Sequence, residues 1–555
     1  MIALVNVASR VVGFLRWLVM ADAVGPNALG SAYTSANALP NVMFEVAAGG
    51  ALAGAVVPLL AVPLARSMRG DVDRTASALL GWAMLVLVPI AVVVALLAEP
   101  LVGLFLGDAT AGEQEVAGTF LVTFAPQIPL YGIGVVLAGV LQAQRRFLAA
   151  ALAPLLNSLV VIAVFLLFDQ MVTSGKDDPA SIADSAILLL GWGTTAGVAV
   201  MSLSLVWPVH RTGVRVRLTL GFPPGVAVTA RSLALAGLGA LVAQQASVLV
   251  TMALANGYGQ DGTYPVFLYT QAVYFLPYAV LAYPLATASL PRLAERAARQ
   301  DRQGFARLAA GTTRTLLLVS GVGVAGLVAV APAVEQVFAP IADGSVAGMA
   351  TGLTWMAPGL LGFALILHLS RALYTLHRGR TAVLATASGW LVVAGAAALL
   401  VPRLTGGGQD QVATLQGLGA ATTIGMSVAG VGLLVGTVRA AGRASALGMT
   451  RTGLALVVGV VAGAWAGRAS AALVLGPAGE AGLPQVLLAG LTGGVVATAV
   501  VLAVSLLVDP TAVRALRGRS AVDAPTGEPG DDPAHATADT PADTPGDGGP
   551  DRSVR

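Results

Sequence analysis

Residues 9–60 read SRVVGFLRWLVMADAVGPNALGSAYTSANALPNVMFEVAAGGALAGAVVPLL. Two apolar runs lie in this stretch, each near the 20 or so residues that an α-helix of 1.5 Å rise needs to cross roughly 30 Å of hydrocarbon. Arg10 and Arg16 interrupt the first run and Glu45 the second, so the helices carry charge into the bilayer. Such charge marks function when it faces a cavity or a partner and not the lipid.

The same pattern continues along most of the 555 residues, of which 56% are hydrophobic and 11% charged. Apolar runs fall near 2–24, 29–63, 76–106, 117–142, 148–168, 185–208 and 226–255, then near 264–290, 309–338, 346–370, 381–401, 411–437, 452–474 and 484–508. The expected fold is an all-α polytopic membrane protein with about 14 transmembrane helices. An outer-membrane barrel would alternate over segments of about ten residues. Without cysteine there is no disulfide, thiolate or iron–sulfur chemistry, and four scattered histidines suggest no metal site. The first run has no cleavable small-residue site, so it reads as a span and not a signal peptide.

Charge in the connections tests the count. Arginines follow every even span: Arg66, Arg69 and Arg74, then Arg145 and Arg146, then Arg211, Arg215 and Arg217, and so on to Arg514, Arg517 and Arg519. Odd connections hold mostly acids, among them Glu99, Asp108, Glu113 and Glu115, or Asp177, Asp178 and Asp184. The positive-inside bias then places both termini in the cytoplasm.

An internal repeat divides the chain. APQIPLYGIGVVLAGVLQAQRRF from Ala125 is echoed by APGLLGFALILHLSRALYTLHRG from Ala357, and Leu39-Pro40 with VVPLLAVPLAR by Leu276-Pro277 with SLPRLAERAAR. Six spans separate the copies, which predicts two parallel six-helix lobes, 1–217 and 218–440, with a substrate site between them. Spans 13 and 14 occupy 441–510. Beyond them, 511–555 is rich in Pro, Gly, Asp and Thr and is expected to be a disordered cytoplasmic tail. Thr540 and Thr544 each precede proline, and their phosphorylation would create a docking signal for a cytoplasmic partner.

Arg10 lies about 14 Å along the first helix and Arg16 about 9 Å deeper. Guanidinium groups stay charged when desolvated and bind phosphate oxygens bidentately, so this pair is suited to a pyrophosphate. Snorkelling to headgroups is the plainer alternative, easier for Arg10 than for Arg16. In the second span Pro40, Gly49 and Gly50 predict a bent or interrupted helix, with Pro277 its counterpart in the eighth. Glu45 balances an arginine or takes a coupling cation. Gln245, Tyr269 and Gln271 bond between helices or line a sugar site, as do Gln244, Tyr274 and Tyr278. Arg371 and His368 read as a cytoplasmic anchor of the tenth span.

The opening stretch resembles the MurJ/MviN family of lipid II flippases. Ser9-Arg10, Gly13-Phe14, Arg16, Leu39-Pro40-Asn41, Gly50-Ala51 and Pro58 stand where that family has them, and weaker similarity runs through Gln245 to LPYAVLAYPLATASLPRL. The resemblance implies a member of the multidrug/oligosaccharidyl-lipid/polysaccharide exporter superfamily that moves lipid II, the undecaprenyl-pyrophosphate-linked disaccharide pentapeptide, to the outer leaflet by alternating access. It implies that Arg10, Arg16 and Asn41 contribute to the substrate site and that spans 13 and 14 form a groove for the lipid tail. Three departures stand out: Ser31 replaces a family acid, Phe44 and Glu45 stand near a family arginine, and Ala272 falls where a third cavity arginine belongs.

Lipid II and membrane lipids are thus the expected partners, with sodium or a proton as coupling ion, no cofactor and no nucleic acid. Rival readings are an exporter of another polyprenyl-linked polysaccharide or of a drug, and a non-transporting cell-wall scaffold. A membrane glycosyltransferase or lipid phosphatase would require acid clusters such as Asp-x-Asp or a His-Arg signature in the loops, and no such pair is expected near a membrane face.

Overall fold

The computed structural model describes residues 2–106, 109–342, 344–475 and 482–511, without the side chains of 2–4, 6, 48–51, 53, 229 and 231–237. The tail, with Thr540 and Thr544, and the side chain of Arg231 lie outside the described residues. Every regular element described is helical. The first half comprises α1 (Ile2–Ala23), α2 (Ala28–Phe44), α3 (Gly50–Ala65), α4 (Arg69–Leu96), α5 (Ala98–Phe105), α6 (Ala111–Phe124), α7 (Gln127–Ala143), α8 (Phe147–Met171), α9 (Asp184–Leu203) and α10 (Val206–His210). The second comprises α11 (Val226–Tyr258), α12 (Thr263–Pro277), α13 (Tyr283–Ala298), α14 (Arg302–Phe338), α15 (Met349–Met356), α16 (Gly359–Thr375), α17 (Gly379–Leu404) and α18 (Gln411–Ala441), followed by the hairpin α19 (Met449–Leu475) and α20 (Leu483–Val508).

Among the described residues eleven helices or continuous helix pairs are long and apolar enough to cross a membrane, and twelve when α15 and α16, bent by 48°, are taken as one span. The chain is therefore a polytopic helical membrane protein. Helix α1 and the run from α2 to α3 are outside that set.

Polar caps hold the helix starts where the sequence leaves lipid. Asn27 accepts from the Gly30 amide at 3.0 Å, Asp301 from Gly304 at 2.8 Å and Asp410 from Ala413 at 2.9 Å, each satisfying an amide that has no partner within its helix. Helix α2 passes into a π-helical turn at Glu45–Gly49, and α12 into another at Tyr278–Ala282. Proline supplies no amide to the ladder; Pro40 stands five positions before the first of these wider turns and Pro277 immediately before the second.

The two π turns lie 233 positions apart. Among the described residues, the four non-glycine ones with left-handed backbone fall into pairs 233 and 232 positions apart: Ser67 (φ 54°) with Gln300 (φ 58°), and Arg145 (φ 60°) with His377 (φ 57°). After each, an amide bonds the carbonyl five residues back: Met68 to Pro63, Arg146 to Leu141, Asp301 to Arg296 and Arg378 to Leu373. This is one helix-ending motif used four times. The break at Ala125-Pro126 between α6 and α7 recurs at Ala357-Pro358 between α15 and α16. One detail differs from the sequence expectation: Leu39-Pro40 and Leu276-Pro277 are 237 positions apart, about one helical turn out of step with the π turns, so the second echo is equivalent from Pro58 and Pro291 onward.

The halves meet at the arginine-poor end. Ser31 Oγ on α2 accepts from the Gly262 amide at 2.8 Å, and Asn256 Nδ2 on α11 donates to Ser35 Oγ at 2.9 Å and to the Phe105 carbonyl at 3.1 Å. At the other end, the connection after α10 runs along α4. The Arg215 and Arg217 amides donate to Asp73 Oδ1 (3.0 Å) and Ser77 Oγ (2.9 Å), and Trp82 Nε1 donates to the Leu220 carbonyl at 3.0 Å. Helices α19 and α20 pack on each other and on α14, where Gly463 and Gly467 let backbones approach.

Candidate functional site

Helix α1 separates two cavities of opposite character. On one face Arg16, Trp17 and Met20 border a chamber of about 380 Å³ whose other walls are α2, α7, α8, α9 and the start of α12. Its surface is phenolic, hydroxylic and amidic, with Tyr33, Asn37, Asn41, Gln127, Tyr131, Asn157 and Thr194 all facing in. On the other face Phe14 and Leu18 border an open apolar groove of about 980 Å³, completed by α12, α14 and α20.

The chamber is held by bonds between helices. The Tyr33 hydroxyl lies 2.8 Å from Thr194 Oγ1, and its ring meets Phe120, Phe124 and Phe165 edge-on. Gln127 donates to Thr195 Oγ1 at 3.0 Å and accepts from Tyr131 at 3.3 Å, while Thr195 donates to the Thr123 carbonyl at 2.7 Å. Asn41 Nδ2 donates to the Asn37 carbonyl at 2.9 Å. Asn157 Oδ1 is buried in the chamber wall with no donor.

Arg16 is half-buried, and its guanidinium stands 5.5 Å from the centre of the Trp17 ring. It makes no ion pair among the described residues. A guanidinium without a carboxylate, facing donors and acceptors in a chamber inside the bilayer region, attracts an anion.

Arg10 is exposed, 5.5 Å from the centre of the Tyr283 ring on α13. Arg371 on α16 lies near enough to Tyr278 for its charge, like that of Arg10, to act on that hydroxyl. Its neighbour His368, expected to anchor with it, is instead 2% exposed, between Thr312 Oγ1 at 3.0 Å and Ser289 Oγ at 3.4 Å.

The other sequence candidates scatter. Asn41 faces the chamber with Arg16. Glu45 begins the first π turn, half-buried, with no ion pair to either α1 arginine. Gln245 is buried on α11, and Gln271 lines a separate small pocket in the second half with Tyr274 and Phe363. Tyr269 is wholly buried between Trp17 (5.9 Å) and Phe338 (5.7 Å). The hydroxyls of Tyr269 and Tyr274 have no partner, so neither is the interhelical bond expected of it. Pro40, Gly49, Gly50 and Pro277 flank or end the π turns.

No group of three or more His, Cys, Asp or Glu among the described residues is arranged to hold a metal. An Asp-x-Asp, the signature looked for in glycosyl transfer, does occur at Asp71 and Asp73, a spacing passed over in the sequence. Asp73 is committed to the Arg215 amide at the edge of α4 and borders neither cavity.

Known proteins share this arrangement. A probable lipid II flippase MurJ of Rhizobium meliloti (strain 1021) is 28% identical over 298 residues, 52% of this chain and 53% of that protein. One of Vibrio cholerae serotype O1 is 25% identical over 403 residues, 69% and 73% of the two chains. The chain thus spans about half the length of the first of these relatives. Among solved structures, a lipid II flippase MurJ in an inward closed conformation superposes with a TM-score of 0.67 at 17% identity, covering 91% of this chain and 98% of that one. An inward-facing multidrug resistance MATE family transporter superposes at 0.64 and 18% identity, covering 81% and 99%. These two show the fold. The family model for lipid II flippase MurJ matches residues 20–474, most of the membrane region just described, and the chain therefore belongs to that family of multi-pass bacterial membrane transporters.

Proposed function

We propose that the chain is a lipid II flippase that carries the undecaprenyl-pyrophosphate-linked peptidoglycan precursor from the inner to the outer leaflet by alternating access. The observation that carries this reading is the placement of Arg16: an unpaired guanidinium in a polar chamber, one helix thickness from an apolar groove. An amphiphile with an anionic, sugar- and amide-bearing head and a long hydrocarbon tail matches both sides of α1. The pyrophosphate binds Arg16, with Arg10 and Arg371 at the approach. Amides and hydroxyls from Asn37, Asn41 and Asn157 meet the headgroup, and the tail lies in the groove against α14 and α20.

In this reading the chain has about fourteen spans in two parallel six-helix lobes, with α19 and α20 added and both termini cytoplasmic. The arginine-poor end, closed by Ser31, Asn256 and Gly262, is then the outer gate, and the structure corresponds to a state shut toward the outside.

A drug exporter is the alternative suggested by the MATE-like fold. A half-buried arginine in the chamber, without a counter-charge among the described residues, disfavours the cationic drugs such a carrier would take. The test is replacement of Arg16 by Ala in cells depleted of their own flippase. Growth should fail while the protein remains in the membrane, and outer-leaflet lipid II should disappear. Full complementation would overturn the proposal.

A further inference from the structure

At the outer gate, a small pocket of about 180 Å³ lies on the seam between the halves, bordered by Ser31, Leu106 and Glu113 from the first and by Asn256, Gln260 and Asp261 from the second. Glu113 is 2% exposed. Its amide is capped by Thr110, but its carboxylate has no hydrogen bond or ion pair among the described residues, and the charge acting on it is that of Asp261. Partial burial, and then the neighbouring charge of Asp177, hold the Asp261 carboxyl above the usual carboxylate range. Lys176, next to Asp177 in sequence, is engaged by Asp169 at 3.3 Å.

Other charges on the elements around α6 are directed elsewhere. Glu99 of α5 borders a different cleft with Glu115, and Asp184 at the start of α9 is exposed. Asp71, Asp73, Arg69 and Arg74 of α4 are at the arginine-rich end. Asp410, beside Tyr258, caps α18. Closing the gate therefore brings two carboxylates to one polar pocket, Glu113 buried in the first half and Asp261 exposed at the rim in the second, with no cation among the described residues paired to either.

From this geometry we infer that Glu113 and Asp261 form a binding site for a single positive charge, a proton or an alkali metal ion, whose occupancy holds the outer gate shut. An ionised pair repels across the seam and favours separation; a shared cation removes the repulsion and leaves the bonds of Ser31 and Asn256 to hold. The sign follows directly. A carboxyl that binds its proton more readily in the closed state draws the protein toward that state as pH falls. A transporter whose empty carrier closes on taking up an external cation is reset by that cation gradient. The site concerns the gate and not the headgroup chamber, so its failure leaves the lipid II proposal standing.

The chain has no cysteine, so spin labels can be placed at will. Labels at Ser174→Cys and Gly408→Cys, exposed on the two halves at this end, report gate separation by pulsed dipolar spectroscopy on the full chain in lipid nanodiscs without substrate. With N-methylglucamine as the only cation besides protons, lowering the pH from about 9 to about 5 should raise the ratio of closed to open by about tenfold. Sodium chloride titrated at the higher pH distinguishes an alkali-ion site, which also closes, from a proton site, which does not respond. Glu113→Gln should stay closed throughout, and Asp261→Asn provides the same measurement should the first variant fail to fold. A gate that ignores both cations, or that responds in both variants as in the parent, overturns the inference.

Discussion

The Arg10 guanidinium on α1 lies 5.5 Å from the centre of the Tyr283 ring on α13, a cation–π contact that crosses from one half of the molecule to the other. Tyr283 in turn meets Tyr278 edge-on at 6.4 Å, and Tyr278 feels Arg371 as well as Arg10. Two arginines from opposite halves thus act on one tyrosine beside the α1 junction. Arg371→Ala is expected to lower lipid II transport at least about tenfold, the effect of losing one charged contact of roughly 1.5 kcal/mol. The readout is transport per molecule of membrane-inserted protein; a pure anchor would change insertion and leave that ratio untouched.

The Tyr33–Thr194 bond ties α2 to α9 at the chamber floor. Thr194→Val leaves a buried phenol without that partner and should cost about 1–2 kcal/mol of stability, whereas adding Tyr33→Phe should restore part of it. Thermal denaturation of the two single variants and the double variant in detergent measures the coupling. Additive losses would mean the bond contributes nothing.

Gly326 on α14 borders the groove, and a Cβ at this position would meet no atom within 4 Å. Gly326→Phe should therefore leave the melting temperature unchanged or raised, since glycine inside a helix is disfavoured by roughly 1 kcal/mol relative to alanine. Transport should fall nonetheless, because the ring occupies the tail's path. Undiminished transport in a reconstituted flipping assay would show that the tail lies elsewhere.

At Gly262 the backbone is left-handed (φ 88°), and a Cβ would collide with the Pro26 carbonyl of the other half. Gly262→Ala should hold the outer gate apart, so that a cysteine introduced at Ser35 becomes reactive to an impermeant thiol reagent from outside. Protection equal to the parent's would contradict the gate.

Arg314 of α14, Thr452 of α19 and Asp509 after α20 form one cluster, with Asp509 2% exposed. Arg314 pairs directly with Asp509, and Thr452 and Thr511 donate to the carboxylate at 2.5 and 2.7 Å. Burial by itself would raise the Asp509 carboxyl, but these donors bring it to about 2. Because the folded value is depressed, the stabilisation is complete above the ordinary carboxylate range and is lost as pH falls toward 2. Asp509→Asn should cost about 2 kcal/mol near neutral pH, with the difference from the parent shrinking in acid. A constant difference in melting temperature across that range would remove the ion pair from the account.

Much of this was legible in the order of residues. Apolar length dictates membrane helices because hydrocarbon offers no partner for a free amide, and the interval between Ala125-Pro126 and Ala357-Pro358 is matched by the left-handed residues that end the helices. Arg16 could be singled out because a permanent charge among apolar neighbours demands a cavity. Tyr269 and Gln271 could not be sorted the same way. Two positions apart on one helix they point in different directions, one into the core beside Phe338 and the other into a separate pocket.

By itself the sequence determined the solvent, the helical class, the repeat and the charged residue at the heart of the first span, all of which depend on local composition and spacing. Only the tertiary structure decided that Arg16 stands without an acid among the described residues, that Arg371 and Arg10 both act on Tyr278, and that Glu113 and Asp261 border one pocket on the seam between the halves. Those relations join residues more than a hundred positions apart, and they arise from how two bundles of helices pack, which no local pattern encodes.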